Sequence, residues 1–358
     1  MKAVILKCRP ESRFHFGKVG LDSNSSLNDT SEIIHSDTIF SALINIAAQI
    51  GGSPAANSLG DLFDKCWVRI SSGFYCLQNG EGYVYFLPKP EYYTLKTDGS
   101  YKSHARTRFI SSEVWASGYL QDEWIDNGIQ KYQHDQFAAF DWEMPTGLEN
   151  SFSFFKTLTA PRVHARKPDQ EDSFYFLTSL TINPSGNRVD NSPDVHFYFL
   201  MDLKNSDEEH PGFSILETVL KLLPDTGLGG ERTGGCGLFE GIEIRDFEFQ
   251  DFNSTHWATL SLALPDENDP ASLSNFLNFK TVIRGGRETS TDGKLNHIRM
   301  IAEGALVTET ETGSIVNISN KPGTNYWRHG KPLCLPVHPK TLLSAENKKL
   351  KNHGEAGL

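Results

Sequence analysis

The run Gly227-Leu228-Gly229-Gly230-Glu231-Arg232-Thr233-Gly234-Gly235-Cys236-Gly237 carries six glycines and one arginine between an apolar-periodic helix and a strand. Glycine permits φ > 0 turns and lets backbone amides approach a ligand without an intervening Cβ. Consecutive amides in such a bend can form an anion-cradling nest, with Arg232 as its fixed charge. Two familiar phosphate loops are excluded. A Walker loop ends in Gly-Lys-Ser/Thr where this one has Gly234-Gly235-Cys236, and a dinucleotide fingerprint begun at Gly227 and Gly229 needs glycine where Arg232 stands. The guest this pattern suits is a sugar-phosphate backbone. The competing reading of the composition alone is a mobile surface turn.

The bulk of the 358 residues reads as globular: 38% hydrophobic and 22% charged. No apolar run approaches the roughly 20 residues of a membrane helix, and the first residues read as a strand rather than a leader. A soluble, cytoplasmic protein is expected. The five cysteines lack CxxC spacing, which suggests neither a disulfide framework nor a zinc site, and they are expected to be reduced. Acidic segments such as Asp122-Glu123 show no ligand pattern, so neither a metal nor any other cofactor is expected. Net charge is -11, from 34 basic and 45 acidic residues, which opposes nonspecific nucleic-acid binding at long range. Lys156, Arg162, Arg166 and Lys167 nevertheless occur without an acid between Asn150 and Pro168, and Lys102, His104, Arg106 and Arg108 form a second basic cluster. A basic groove on an acidic body suits a subunit that holds one nucleic acid inside an assembly.

Lys2 to Cys8 reads as a buried strand. A helix opens at His35-Ser36-Asp37-Thr38, with Ser36 or Asp37 as cap and Ile39, Leu43, Ile46 and Ile50 on one face, and stops at Gly51-Gly52. Alternation over Phe174, Phe176, Thr178, Leu180 and Ile182, then over Val195, Phe197, Phe199, Met201 and Leu203, predicts an antiparallel pair. A second helix buries Ile215, Leu216, Val219, Leu220 and Leu223 and ends at Pro224. The glycine loop follows, and Leu238 to Phe249 returns as a strand. The order is strand, helix, strand, strand, helix, strand. That order predicts an α+β fold whose first domain, 1–251, is ferredoxin-like (RRM-like) with a large insertion at about 52–172. A second ferredoxin-like domain is expected over 252–340, with strands near Leu260, Val282, Met300, Leu306, Ile315 and Leu335, and a flexible tail over 341–358.

The helix start at His35-Ser36-Asp37-Thr38, the Pro161-Arg162-Val163 segment and the glycine loop together resemble the RAMP superfamily of CRISPR effector subunits. Within it they are similar to the fourth-subunit family of the type III-A Csm effector, in the Cas-five-like group. Arg284-Gly285-Gly286, Met300-Ile301-Ala302-Glu303-Gly304 and Tyr326-Trp327-Arg328-His329-Gly330-Lys331 extend the resemblance downstream. The resemblance implies a noncatalytic subunit that binds the 5′ repeat-derived tag of a CRISPR RNA at the base of the complex. It also implies two protein partners, the large palm-domain subunit and the backbone RAMP subunit. Target RNA would be met only indirectly, and no membrane.

On this reading Gly227, Gly229, Gly230, Arg232, Thr233, Gly234, Gly235 and Gly237 hold successive phosphates, with Arg162 and Arg166 adding charge to the same groove. The helix start offers His35, Ser36 and Thr38 to another phosphate, whereas Asp37 suits capping or orienting His35 or an arginine. Phe14, Phe16, Tyr92, Tyr93 and Phe109 are candidate base-stacking platforms. The alternative is an enzyme, a metal-independent CRISPR RNA-processing endoribonuclease with His35 as general acid or base.

Overall fold

The computed structural model describes residues 1–19, 27–94, 105–164, 173–184, 192–205, 209–286, 295–321 and 325–342. The chain opens with β1 (Lys2–Lys7), whose Ala3, Val4, Ile5 and Leu6 are fully buried, as a central strand requires. A short β2 (Ser12–Phe14) follows, then α1 (Ser36–Asp64). Gly51 and Gly52 leave helical geometry, Gly52 at φ +66°, so α1 is two helices joined at the expected stop. Pro54 sits at the start of the second half, where a proline breaks no helical bond. Ile39, Phe40, Leu43, Ile46 and Ala47 are buried, and Ile50 at the kink is exposed. By length and composition α1 is long and apolar enough to cross a bilayer, but in the fold it kinks and packs against a second long helix.

The stretch expected as an insertion supplies much of the main sheet. It holds β3 (Val68–Ile70), β4 (Phe74–Asn79), β5 (Gly82–Pro88), β6 (Phe109–Ser111), the short α2 (Ser112–Ser117), β7 (Ile129–Tyr132) and β8 (Phe137–Phe140). Next come β9 (Phe155–His164), β10 (Ser173–Ile182), β11 (Val195–Leu203), α3 (Pro211–Thr226) and β12 (Gly241–Asp246). Nine strands form the main sheet in the order β12-β1-β11-β4-β5-β6-β8-β7, with β3 also on β11.

The pairing of β10 with β11 expected from alternation is not found. β10 pairs with β9 and β2 in a separate three-stranded sheet, placing Phe174 opposite Val163, and β11 lies between β1 and the β3–β4 pair. The chain changes sheets at Asn183, which takes a left-handed φ of 51°. Its side-chain amide replaces a strand neighbour for Val195, accepting from the backbone N–H at 2.8 Å and donating to the carbonyl at 3.0 Å. The strand following α1 in the β-α-β-β-α-β order is therefore β3–β4.

The remaining chain forms β13 (Trp257–Thr259), β14 (Phe276–Asn278), β15 (Thr281–Arg284), β16 (Ile298–Ile301), β17 (Leu306–Val307), β18 (Ile315–Asn317), β19 (Trp327–His329) and β20 (Cys334–Pro336). They make a sheet of order β14-β17-β13-β20 and two hairpins, β15–β16 and β18–β19. Among the described residues of 252–340 the helical pieces are a 3-10 turn at Pro270–Asn275 and a turn at 339–342, so a second β-α-β-β-α-β unit is not seen there. Ala258, Leu260, Leu306, Leu333, Leu335 and Val337 join the same buried cluster as β1 and β11, while Ala263, Phe276, Ile301, Ala305 and Val307 form a second, smaller one. All five cysteines are free.

Phe137 joins the presumed insertion to the larger core cluster through Tyr75, whose ring also meets Phe197 of β11. Phe137 is fully buried and stacks on Phe154, with Tyr75 and Phe86 edge-on. Phe137→Ala is expected to cost about 3–5 kcal/mol in chemical denaturation, through one cooperative transition; a separate early transition would show that the segment folds apart.

Candidate nucleic-acid interface

The glycine loop is built mainly to pack on itself and on β2. Gly227 ends α3 at φ +75°, its amide donating to Leu223 O. The amides of Leu228, Gly230, Gly234, Gly235, Cys236 and Gly237 also donate to backbone carbonyls, those of Gly230 and Gly237 to His15 and Arg13. Gly229 shows why glycine is required: φ is +92°, and a Cβ there would stand 2.5 Å from His15 O. The expected cradle is correspondingly smaller. Glu231, Arg232 and Thr233 begin a one-turn 3-10 helix at the tip, and no intrachain bond occupies their amides among the described residues. Residues 230 and 232–235 are exposed, so the bend is open to a ligand. Arg232 is held by a bond from Nη1 to Thr226 O at 3.2 Å.

This loop forms one wall of an open groove of about 1670 Å³. Both halves of α1 and the residues after β2 also line it, and the β15–β16 and β18–β19 hairpins contribute Arg284, Tyr326, Trp327 and Arg328. Small-molecule sites span roughly 300–1,000 Å³, so the groove suits an extended polymer. Lys18, Arg232, Arg284 and Arg328 line it, as do Asp61, Asp64 and Glu231. Lys18 pairs with Asp29, Asp64 with Lys331, and both wall arginines with Asp37. Arg232 has no carboxylate ion-pair partner within 4 Å among the described residues.

The helix start orients arginines, as Asp37 suggested. Asp37 is fully buried and accepts from Arg284 through Nε and Nη2, each at 2.9 Å, and from Arg328 Nη1 at 2.6 Å. Burial alone would raise its pKa, yet the two guanidiniums hold the carboxyl well below the usual carboxylate range. Thr38 accepts from Arg284 Nη2 at 3.0 Å and lines the groove. Ser36 turns inward: it is fully buried and its Oγ accepts from Leu262 N. His35 also faces the interior. Its Nδ1 lies 2.8 Å from Glu303 Oε1 and its Nε2 3.4 Å from Ser31 Oγ, while Ser72 bridges Glu303 and the Ser36 amide. Burial would raise Glu303, but the His35 imidazole and Ser72 hydroxyl hold it below its ordinary value. With both ring nitrogens engaged and no place in the groove lining, His35 gives an endoribonuclease no support.

Arg162 lies half-buried on β9, near enough to the loop to oppose, with Arg13, the rise that burial and Glu231 impose on the Cys236 thiol. Arg166 lies outside the described residues, as do Lys102, His104 and Lys167. Of the proposed platforms, Phe14, Phe16, Tyr92 and Phe109 are buried core residues, and the side chain of Tyr93 is outside the description. Sequence reasoning missed the roles of Arg284, Arg328 and Trp327. Each lay in a segment that carried the family resemblance, but nothing in the spacing tied them to Asp37.

Replacing Asp37 leaves two buried cations without their counterion, so Asp37→Asn is expected to destabilise by about 3–5 kcal/mol. Both Asp37 and Glu303 titrate lower in the folded chain than in the unfolded one. Their contribution is complete above the unfolded values, near pH 4, and is lost as pH falls toward the folded ones. Urea denaturation from neutral pH to pH 3 should show wild-type stability falling more steeply than that of Asp37→Asn. Parallel curves would remove Asp37 from the acid response.

Residues 252–337 match the family described as the CRISPR Csm4 C-terminal domain. A Csm4 protein of Methanocaldococcus jannaschii is 27% identical over 391 residues, covering 95% of this chain and 98% of the relative. A Csm4 protein of Thermococcus onnurineus is 25% identical over 285 residues, 77% of this chain and 82% of its own. Among solved structures, the fold resembles a chain of a Csm3-Csm4 subcomplex from a type III-A CRISPR-Cas interference complex, at TM-score 0.67 and 22% identity, over 95% of this chain and all of that one (100%). It also resembles a chain of a Csm1-Csm4 cassette in complex with cA4, at TM-score 0.55 and 18% identity, over 94% and 98% of the two chains. The C-terminal part thus matches the Csm4 C-terminal domain, and along most of its length the chain is similar to Csm4 proteins of CRISPR systems.

Proposed function

We propose that this chain is the noncatalytic, cytoplasmic subunit that anchors the 5′ repeat-derived tag of a CRISPR RNA and docks the large subunit at the base of a type III-A effector. The observation that carries the reading is the groove: larger than a typical small-molecule site, open at the glycine tip, and holding Arg232 without a carboxylate partner among the described residues. Phosphates would meet Arg232, Thr233 and the exposed Gly230, Gly234 and Gly235 on one side, and Thr38 with its arginines on the other, while Arg162 adds charge beside the loop. Gly227, Gly229 and Gly237 shape the bend, and His35 and Ser36 support the helix start from behind. We further read the β1–β12 unit, with its β-α-β-β-α-β order, as ferredoxin-like. The solved relatives supply the partners: one is a Csm3-Csm4 subcomplex and another a Csm1-Csm4 cassette. A large subunit and a repeating backbone subunit are accordingly the neighbours proposed here, with target RNA reached only through them.

Phosphate contacts position a strand and depend on salt, because binding releases counterions. For single-stranded RNA, log affinity should fall with log salt by roughly 0.7 per neutralised phosphate, and Arg232→Ala should flatten the slope by about that amount. Effector purified with wild-type chain should retain RNA with a uniform 5′ tag, and Arg232→Ala effector should retain less. Equal retention and an equal slope would reduce the chain to a protein adaptor.

A further inference from the structure

We propose that Trp327 is the nucleobase platform of the groove, so that the strand is gripped by phosphate on the glycine-loop side and by a base face on the β18–β19 side. This rests on the RNA-anchoring reading and adds to it a residue that reads the base.

The exposed Trp and Phe side chains among the described residues are Trp142, Phe174, Phe176, Phe279 and Trp327, and of these Trp327 lines the groove. The residue is 44% exposed, so part of it is open to a ligand. An isolated surface tryptophan would need no explanation. This one lines the same groove as the glycine loop, next in sequence to an arginine that is itself fixed.

The fixing matters because stacking needs a platform that stays in place. Arg328 reaches Asp37 at 2.6 Å and Gly285 O at 2.9 Å, joining β19 to α1 and to the end of β15. Trp327 pairs with Asn317 across the hairpin, and His329 at the far end of the strand is fully buried against Phe40 and Phe63. Both neighbours of Trp327 on its C-terminal side are thus locked, and the ring is carried on a strand rather than a loop. Aromatic rings accept any base on their π-face, and single-stranded RNA presents unstacked bases that duplexes do not. A polymer with an anionic backbone and planar apolar side groups matches a groove lined by both the Arg232 guanidinium and an indole.

The test is an anisotropy titration of the full chain with a short single-stranded RNA, intact and with one abasic position moved along it. Trp327→Ala should weaken binding of intact RNA roughly 5- to 100-fold without changing the salt slope, and Trp327→Phe should recover most of the loss. One abasic position should cost the wild-type chain affinity but cost Trp327→Ala nothing further. Unchanged binding by Trp327→Ala, with Arg232→Ala still weakening and flattening the slope, would overturn the stack and leave the anchoring reading intact. Indifference to both substitutions, or no binding by the wild-type chain, would overturn both.

Discussion

A single carboxylate holds the two halves of this protein in register. Asp37 sits at the first turn of α1, fully buried, and receives guanidinium groups from two separate hairpins of the C-terminal part. Buried ion pairs often return little net stability, because desolvation offsets attraction. What they supply is specificity: a misplaced hairpin would leave a charge in the interior without a partner. Beside the clamp, the Ser31–His35–Glu303–Ser72 chain joins the same helix start to the turn after β16. Farther along, His329 stacks on Phe40 and is held neutral by burial, which pushes its imidazole down to about 3. The groove lies beside these ties and is lined by both clamped arginines.

The glycine loop illustrates how one sequence signal serves two physical ends. Glycines permit close approach, and here most of the approach is by the protein's own backbone: Gly229 to His15, Gly237 to Arg13 and Leu228. That internal packing narrows the ligand-facing part to the tip. It also makes the tip firm, because a bend anchored at both ends cannot drift. A preorganised donor loses less entropy on binding than a floppy one, so the internal bonds and the exposed tip are parts of one design.

Legibility in the sequence followed the range of the interactions. Local signals were sufficient for β1, for the start and break of α1, for the buried face of α3, and for strands near Val282, Met300, Leu306, Ile315 and Leu335. Alternation located β10 and β11 but not their partners, since a period of two fixes faces and leaves pairing open. The deciding element was Asn183, one residue whose side chain stands in for a strand. The stretch over 52–172 lacked a clean pattern because its strands are short and several are buried on both faces, as in β3, β4 and β6. For the site, the loop and Asp37's preference for an arginine were legible. That His35 and Ser36 turn inward was not, because their partners lie 268 and 226 residues away in the chain.

Charge shows the same contrast between sum and arrangement. A net charge of -11 repels RNA at a distance, but exposed charges are screened beyond about 8 Å at physiological ionic strength. Within the groove the balance is set locally: Asp37 cancels one of two arginines, Lys331 answers Asp64, and Arg232 shares the lining with Asp61 and Glu231. The pair of wall arginines therefore carries a net charge of about one rather than two, spread over two rigid planes. Such a surface favours a strand that fits both walls over any polyanion that merely arrives. An acidic exterior then acts in the same direction, since it discourages nucleic acid everywhere the groove is not.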